Sequence, residues 1–109
     1  MLFISAEDFF AQAENAPRLT REEEKRLAQE LGQNTVARTR LICNYLPFVA
    51  GRIRRAPKDI HTLHTVYACL AVLEKEVDNF DFLQDHERFI HRLSGKMRQC
   101  LTRCLAELR

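Results

Sequence analysis

The sequence predicts an all-α fold, a compact bundle of about five helices. Only three glycines and three prolines interrupt its 109 residues. The remainder is rich in Leu, Ala, Glu, Arg and Gln, residues that cost little in a helix. No run alternates polar and apolar residues long enough to make a strand, whereas apolar residues recur at steps of three and four.

Ser5 can cap a first helix ending near Asn15, with Asp8 where a capping box wants an acid; Pro17 closes that segment. Thr20-Arg21-Glu22-Glu23 is a stronger capping box, and three consecutive glutamates meet the positive end of the helix dipole. A second helix follows to about Leu31, with Gly32 expected to close it. The third runs from about Thr35 to Arg55 and buries Leu41, Ile42, Tyr45, Leu46, Val49 and Ile53. Pro47 must bend it, because its ring clashes with the carbonyl of Cys43. After Pro57, a fourth helix from about Asp59 to Asn79 carries the stripe Leu63, Val66, Leu70, Leu73 and Val77. The fifth, from about Asp85 to Leu108, buries Phe89, Leu93, Met97, Cys100 or Leu101, Cys104 and Leu108, with a kink or restart expected at Ser94-Gly95.

A chain of this length buries one modest core, roughly 60 to 70% of its unfolded surface, so residues 1–109 form one expected domain. The stretches 41–51 and 60–73 lack acids, Lys and Arg, but fall short of the roughly 20 residues that cross a bilayer. Met1-Leu2-Phe3-Ile4 has no basic flank and soon meets Glu7 and Asp8, so neither a signal nor a transit peptide is expected and the predicted location is cytoplasmic. Without a short, loop-rich framework, Cys43, Cys69, Cys100 and Cys104 read as reduced, packed thiols.

Charge is sorted along the chain. Six basic residues from Arg88 to Arg109 face one acid, Glu107, although the net charge is only +2. Arg88, Arg92, Lys96, Gln99 and Arg103 follow at steps of four, four, three and four and line one helix face. Arg52, Arg54, Arg55 and Lys58 add a second basic group, and no acid occurs between Asn34 and Lys58. Side by side, the two would hold a phosphate backbone. A solvated helix face is the plain alternative. Gln99 and Thr102 tilt the reading toward nucleic acid, since neutral hydrogen-bonding side chains read base edges where Lys and Arg grip phosphate.

Cys100 and Cys104, one turn apart, with His61 and His64 opposite, are a weak candidate for a zinc site beside the simpler reading of buried thiols; no metal or other cofactor is expected. No nucleophile sits in a recognisable elbow or glycine loop, and the acids fall at helix ends and outer faces, so no enzyme activity is predicted.

Four stretches share an order. Ala16-Pro17-Arg18-Leu19-Thr20-Arg21-Glu22-Glu23-Glu24 comes first, then Asn44-Tyr45-Leu46-Pro47-Phe48-Val49 leading to Arg52-Ile53-Arg54-Arg55, then Val77-Asp78-Asn79-Phe80-Asp81, then Arg98-Gln99-Cys100-Leu101-Thr102-Arg103. In this order and spacing the chain resembles the central region of bacterial RNA polymerase sigma factors of the sigma-70 family. The resemblance assigns 1–33 to the N-terminal helices and 34–109 to the core-binding and promoter-reading helices. It implies that the helix over 60–78 docks on the clamp coiled coil of core RNA polymerase, that Gln99 and Thr102 read bases, and that Arg103 lies against the DNA backbone.

Two departures temper what is implied. Where the family carries an Asp-Leu-Ile-Gln-Glu-Gly-like run, this chain has His64-Thr65-Val66-Tyr67-Ala68-Cys69. Where the family places two tryptophans at the opening duplex it has Gly95-Lys96, with no tryptophan anywhere. An aromatic face is worth roughly 1 to 3 kcal/mol per stacked base, so strand melting is not expected. The separate helix-turn-helix domain of the family is not expected within these 109 residues.

The leading expectation is a transcription module that contacts promoter-like duplex DNA through Arg88, Arg92, Lys96, Arg98, Gln99, Thr102 and Arg103, aided by Arg52, Arg54 and Arg55. The alternative is an adaptor that binds RNA polymerase or a sigma regulator through Tyr67, Leu70 and Glu74, with acids at Glu74, Glu76, Asp78 and Asp81, and leaves DNA alone.

Overall fold

The computed structural model describes residues 2–79 and 86–108. Helices α1 (Ala6–Glu14), α2 (Arg21–Gln29), α3 (Thr35–Asn44), α4 (Leu46–Arg55), α5 (Leu63–Asn79) and α6 (His86–Glu107) pack around one core, and no strand occurs among the described residues. With α3 and α4 taken as one broken rod, these are the five expected helices. Phe80, Asp81, Asp85 and Arg109, which figured in the sequence reading, lie outside the described residues.

Local chemistry sets most of the starts. The Ser5 hydroxyl accepts from the Asp8 amide at 3.0 Å, and Asp8 reaches back one residue further than a capping box would, to the Ile4 amide at 3.0 Å. At α2 the box is complete. Glu23 N–H donates to Thr20 at 3.1 Å, and Thr20 N–H donates to Glu23 at 3.1 Å. Asn34 caps α3 by accepting from Val36 and Ala37, a cap the sequence reading missed.

Four boundaries differ from expectation. Gly32 does not close α2 in a left-handed conformation; no described residue has positive φ, and the helix ends as the Glu30 and Leu31 amides fold onto the Leu27 and Ala28 carbonyls. Pro47 does more than bend the third helix. The chain breaks at Tyr45, which puts Pro47 in the first turn of α4, where a missing amide costs nothing. The fourth helix begins at Leu63, because residues after Pro57 form a 3₁₀ turn over Lys58–Ile60 and Thr62 then caps α5 by accepting from the Thr65 amide. Finally, α6 runs unbroken through Ser94-Gly95.

The longest helices, α5 and α6, pack along each other, with α1, α3 and α4 laid across α5 and α2 against α3. Phe9, Leu41, Ile53, Val66, Leu73, Val77, Phe89, Leu93 and Met97 are fully enclosed. Each such side chain contributes about 1.5–3 kcal/mol by leaving water. Rings interlock at both ends of the core: Phe3 meets Phe9 edge-on at 5.1 Å, and Tyr45 meets Phe89 at 4.9 Å. Two stripe positions fall short of the core. Leu63 is half-buried and Leu108 exposed. None of the described helices is long and apolar enough to cross a membrane.

Candidate nucleic-acid interface

The 22 residues of α6 make a rod about 33 Å long, comparable with one turn of duplex. Phe89, Leu93, Met97, Cys100 and Cys104 hold one side of it in the core. That leaves roughly half the circumference outward, and this arc carries Arg88, Arg92, Arg98, Gln99, Thr102 and Arg103, all exposed, with Lys96 half-buried at its edge.

Successive helical residues point about 100° apart, so the arc has two flanks. Arg92, Lys96, Gln99 and Arg103 face α5 across a groove of about 360 Å³ whose other wall is Val72, Lys75, Glu76 and Asn79. Thr102 lies about a quarter-turn round and Arg98 about a third of a turn, on the side away from that groove. The expected single ridge is thus a groove wall plus a neighbouring outer strip.

The cations differ in how freely their charge is offered. Arg92 pairs with Glu76 at 3.0 Å, and that carboxylate is buried while Arg92 remains 61% exposed. Among the described residues, Lys96, Arg98 and Arg103 make no ion pair. The α4 group is more committed. Arg52 is half-buried, donates to the Ser94 hydroxyl and lies 5.4 Å from the centre of the Phe48 ring. Arg54 pairs with Glu14 at 2.5 Å and covers the Phe10 ring at 4.8 Å, while Arg55 is exposed. Lys75 and Asn79 were missed in the sequence; their four-residue spacing put them on one face of α5, but only the pairing of α5 with α6 brings that face to the basic flank.

The adaptor residues separate as well. Leu70 is in the core, only 5% exposed, and offers nothing to a partner. Glu74 is half-buried. Tyr67 is 38% exposed, and its hydroxyl accepts from the Phe3 amide at 2.9 Å. That bond brings the N-terminal segment beside it, with Leu2 and Ile4 turned to solvent at 89% and 87% exposure.

The candidate zinc ligands do not converge. His61 Nε2 lies 2.9 Å from the Ala56 carbonyl, and His64 is exposed 3.1 Å from Glu107. No group of three or more side chains suited to a metal ion occurs among the described residues. Compared with known proteins, the chain matches no family model, no curated sequence and no solved structure.

Proposed function

We propose that this chain is a sigma-like, cytoplasmic transcription module that contacts promoter-like duplex DNA through the outer arc of α6 without separating the strands. The observation that carries the reading is the array of outward cations on that arc, with Lys96, Arg98 and Arg103 outside any ion pair among the described residues. Each phosphate they neutralise releases counterions, lowering log affinity by about 0.9 per decade of salt. Gln99 stands among them and supplies the donor and acceptor pair that suits adenine in the major groove. Arg88 and Arg55 extend the basic surface, and Arg92 contributes the part of its charge that Glu76 leaves unscreened.

Fluorescence anisotropy with promoter-like duplex over a salt series tests this. The expected result is affinity that falls steeply with salt, with Gln99→Ala reducing the difference between sequences more than overall affinity. Affinity insensitive to salt would sink the proposal.

The second reading, an adaptor docking on core RNA polymerase or a sigma regulator through α5, has its own support in Leu2, Ile4 and Tyr67, an exposed apolar group on one side of the molecule. Capture of core polymerase together with failure to shift duplex DNA would favour it over the first.

A further inference from the structure

Three thiols meet where α5 packs on α6. Cys69 Sγ lies 3.8 Å from Cys100 Sγ, and Cys104, also buried, follows Cys100 one turn along α6. Their environments differ. Cys69 is fully enclosed, whereas Cys100 is 8% exposed and forms part of the groove floor beneath Lys75, Arg92, Lys96 and Arg103. A small molecule entering between the helices therefore reaches Cys100 before Cys69. Cys43 is remote from them and lines a cleft beside α1.

We propose that Cys100 is a hydroperoxide-reactive thiol and that Cys69 resolves the product, closing a disulfide between α5 and α6. The thiolate is the attacking form, and its neighbours favour that form at Cys100. Contact with the Cys69 thiol first, then with the neighbouring Cys104 and the Arg103 charge, holds Cys100 below its ordinary value, against the opposing effects of burial and of Glu107. Contact with Cys100 and burial keep Cys69 protonated, so it acts as the donor of the pair.

The chemistry balances in two steps. The Cys100 sulfur attacks one oxygen of the hydroperoxide, forming S–O as O–O breaks; the leaving alkoxide or hydroxide takes a proton and departs as alcohol or water. Sulfur has then lost two electrons to the peroxide, giving a sulfenic acid. The Cys69 sulfur next attacks Cys100, S–S forms as S–O breaks, and the released hydroxide leaves as water with the Cys69 proton. A disulfide needs about 2.05 Å between sulfurs, so side-chain rotation has less than about 2 Å to close.

The test treats the full chain with hydrogen peroxide and maps its peptides under non-reducing conditions. The expected result is loss of one pair of thiols per chain, a mass lower by two hydrogen atoms, and a linked peptide joining Cys69 to Cys100, with Cys43 still alkylatable. In Cys69→Ser the sulfenic acid should persist at Cys100 and be captured by dimedone. Oxidation of Cys43 ahead of Cys100, a Cys100–Cys104 link, a disulfide between chains, or no dimedone adduct on the folded variant would each overturn the proposal. The wild-type peptide map decides the matter even where the serine variant fails to fold, and neither readout depends on DNA binding.

Discussion

A glycine inside a helix costs about 1 kcal/mol relative to alanine, and Gly95 lies in the middle of α6. A Cβ built on it would meet nothing within 4 Å, so no internal contact demands glycine there. Close approach of something outside the fold is a use for the missing side chain that fits the DNA proposal, since Arg88, Arg98 and Gln99 surround it on the outer arc. Two substitutions separate the effects. Gly95→Ala should stabilise the fold by about 0.5–1 kcal/mol in urea denaturation, whereas Gly95→Leu should keep that stability and weaken duplex affinity. A Leu variant that binds duplex as well as the parent would remove Gly95 from the interface. At the same scale, part of the motif that carries the sigma resemblance proves to be fold chemistry. Asn44 donates to the buried Glu24 carboxylate at 2.6 Å and accepts from the Leu19 amide at 2.8 Å, while the Tyr45 phenol lies 3.3 Å from the same carboxylate. Burial and that negative neighbour push the Tyr45 phenol well above its ordinary value. These residues fasten α2 to the elbow between α3 and α4, so their presence speaks for the architecture more directly than for any partner.

Between elements, the clearest polar tie is the bidentate pair of Arg38 on α3 with Asp78 on α5, at 2.7 and 2.9 Å. The Arg38 hydrogen bonds hold the Asp78 carboxyl below its ordinary range. A depressed carboxyl contributes stability that is complete above its unfolded value, about 3.9, and that fades as pH falls through the lower folded value. Both side chains are at least a third exposed, so solvent screening limits the pair to about 0.5–1 kcal/mol. Arg38→Ala should therefore lose that amount in denaturant titrations at about pH 7, and the deficit should shrink toward zero as the pH is taken down through the depressed folded value of Asp78. A deficit that persists in acid would mean the arginine acts through packing. The pair spans forty residues, and nothing local in the sequence announces it. What was legible depended on nearest-neighbour chemistry: the Ser5 and Thr20 caps, the stripes of α5 and α6, the six buried positions from Leu41 to Ile53. What was illegible depended on tertiary fit. Packing draws a continuous α6 through Gly95, and the Tyr45–Phe89 contact anchors the break that Pro47 alone announced only as a bend.

For the whole molecule, the basic candidates divide according to how much of their charge the fold already uses. Arg92 neutralises Glu76, a carboxylate only 6% exposed, whereas Arg98 meets no acid among the described residues. Sequence spacing grouped Arg92 with Lys96, Gln99 and Arg103, and the structure sets them on one groove wall, because steps of three and four mark one helix face. It had no means of seeing Glu76 on the other side of the groove, nor Glu14 beside Arg54. Removing each arginine should expose the difference. Arg92→Ala strands a buried carboxylate and should cost about 1–3 kcal/mol of stability, with a modest loss of DNA affinity. Arg98→Glu should leave stability within about 0.5 kcal/mol of the parent. It should also lower the slope of log affinity against log salt by about one unit, the signature of a lost phosphate contact. Denaturation and anisotropy on the same two proteins test both halves together. An unchanged slope in Arg98→Glu, with its fold intact, would mean that the outer strip of α6 does not lie on DNA, and would leave the apolar side around Tyr67 as the better candidate surface.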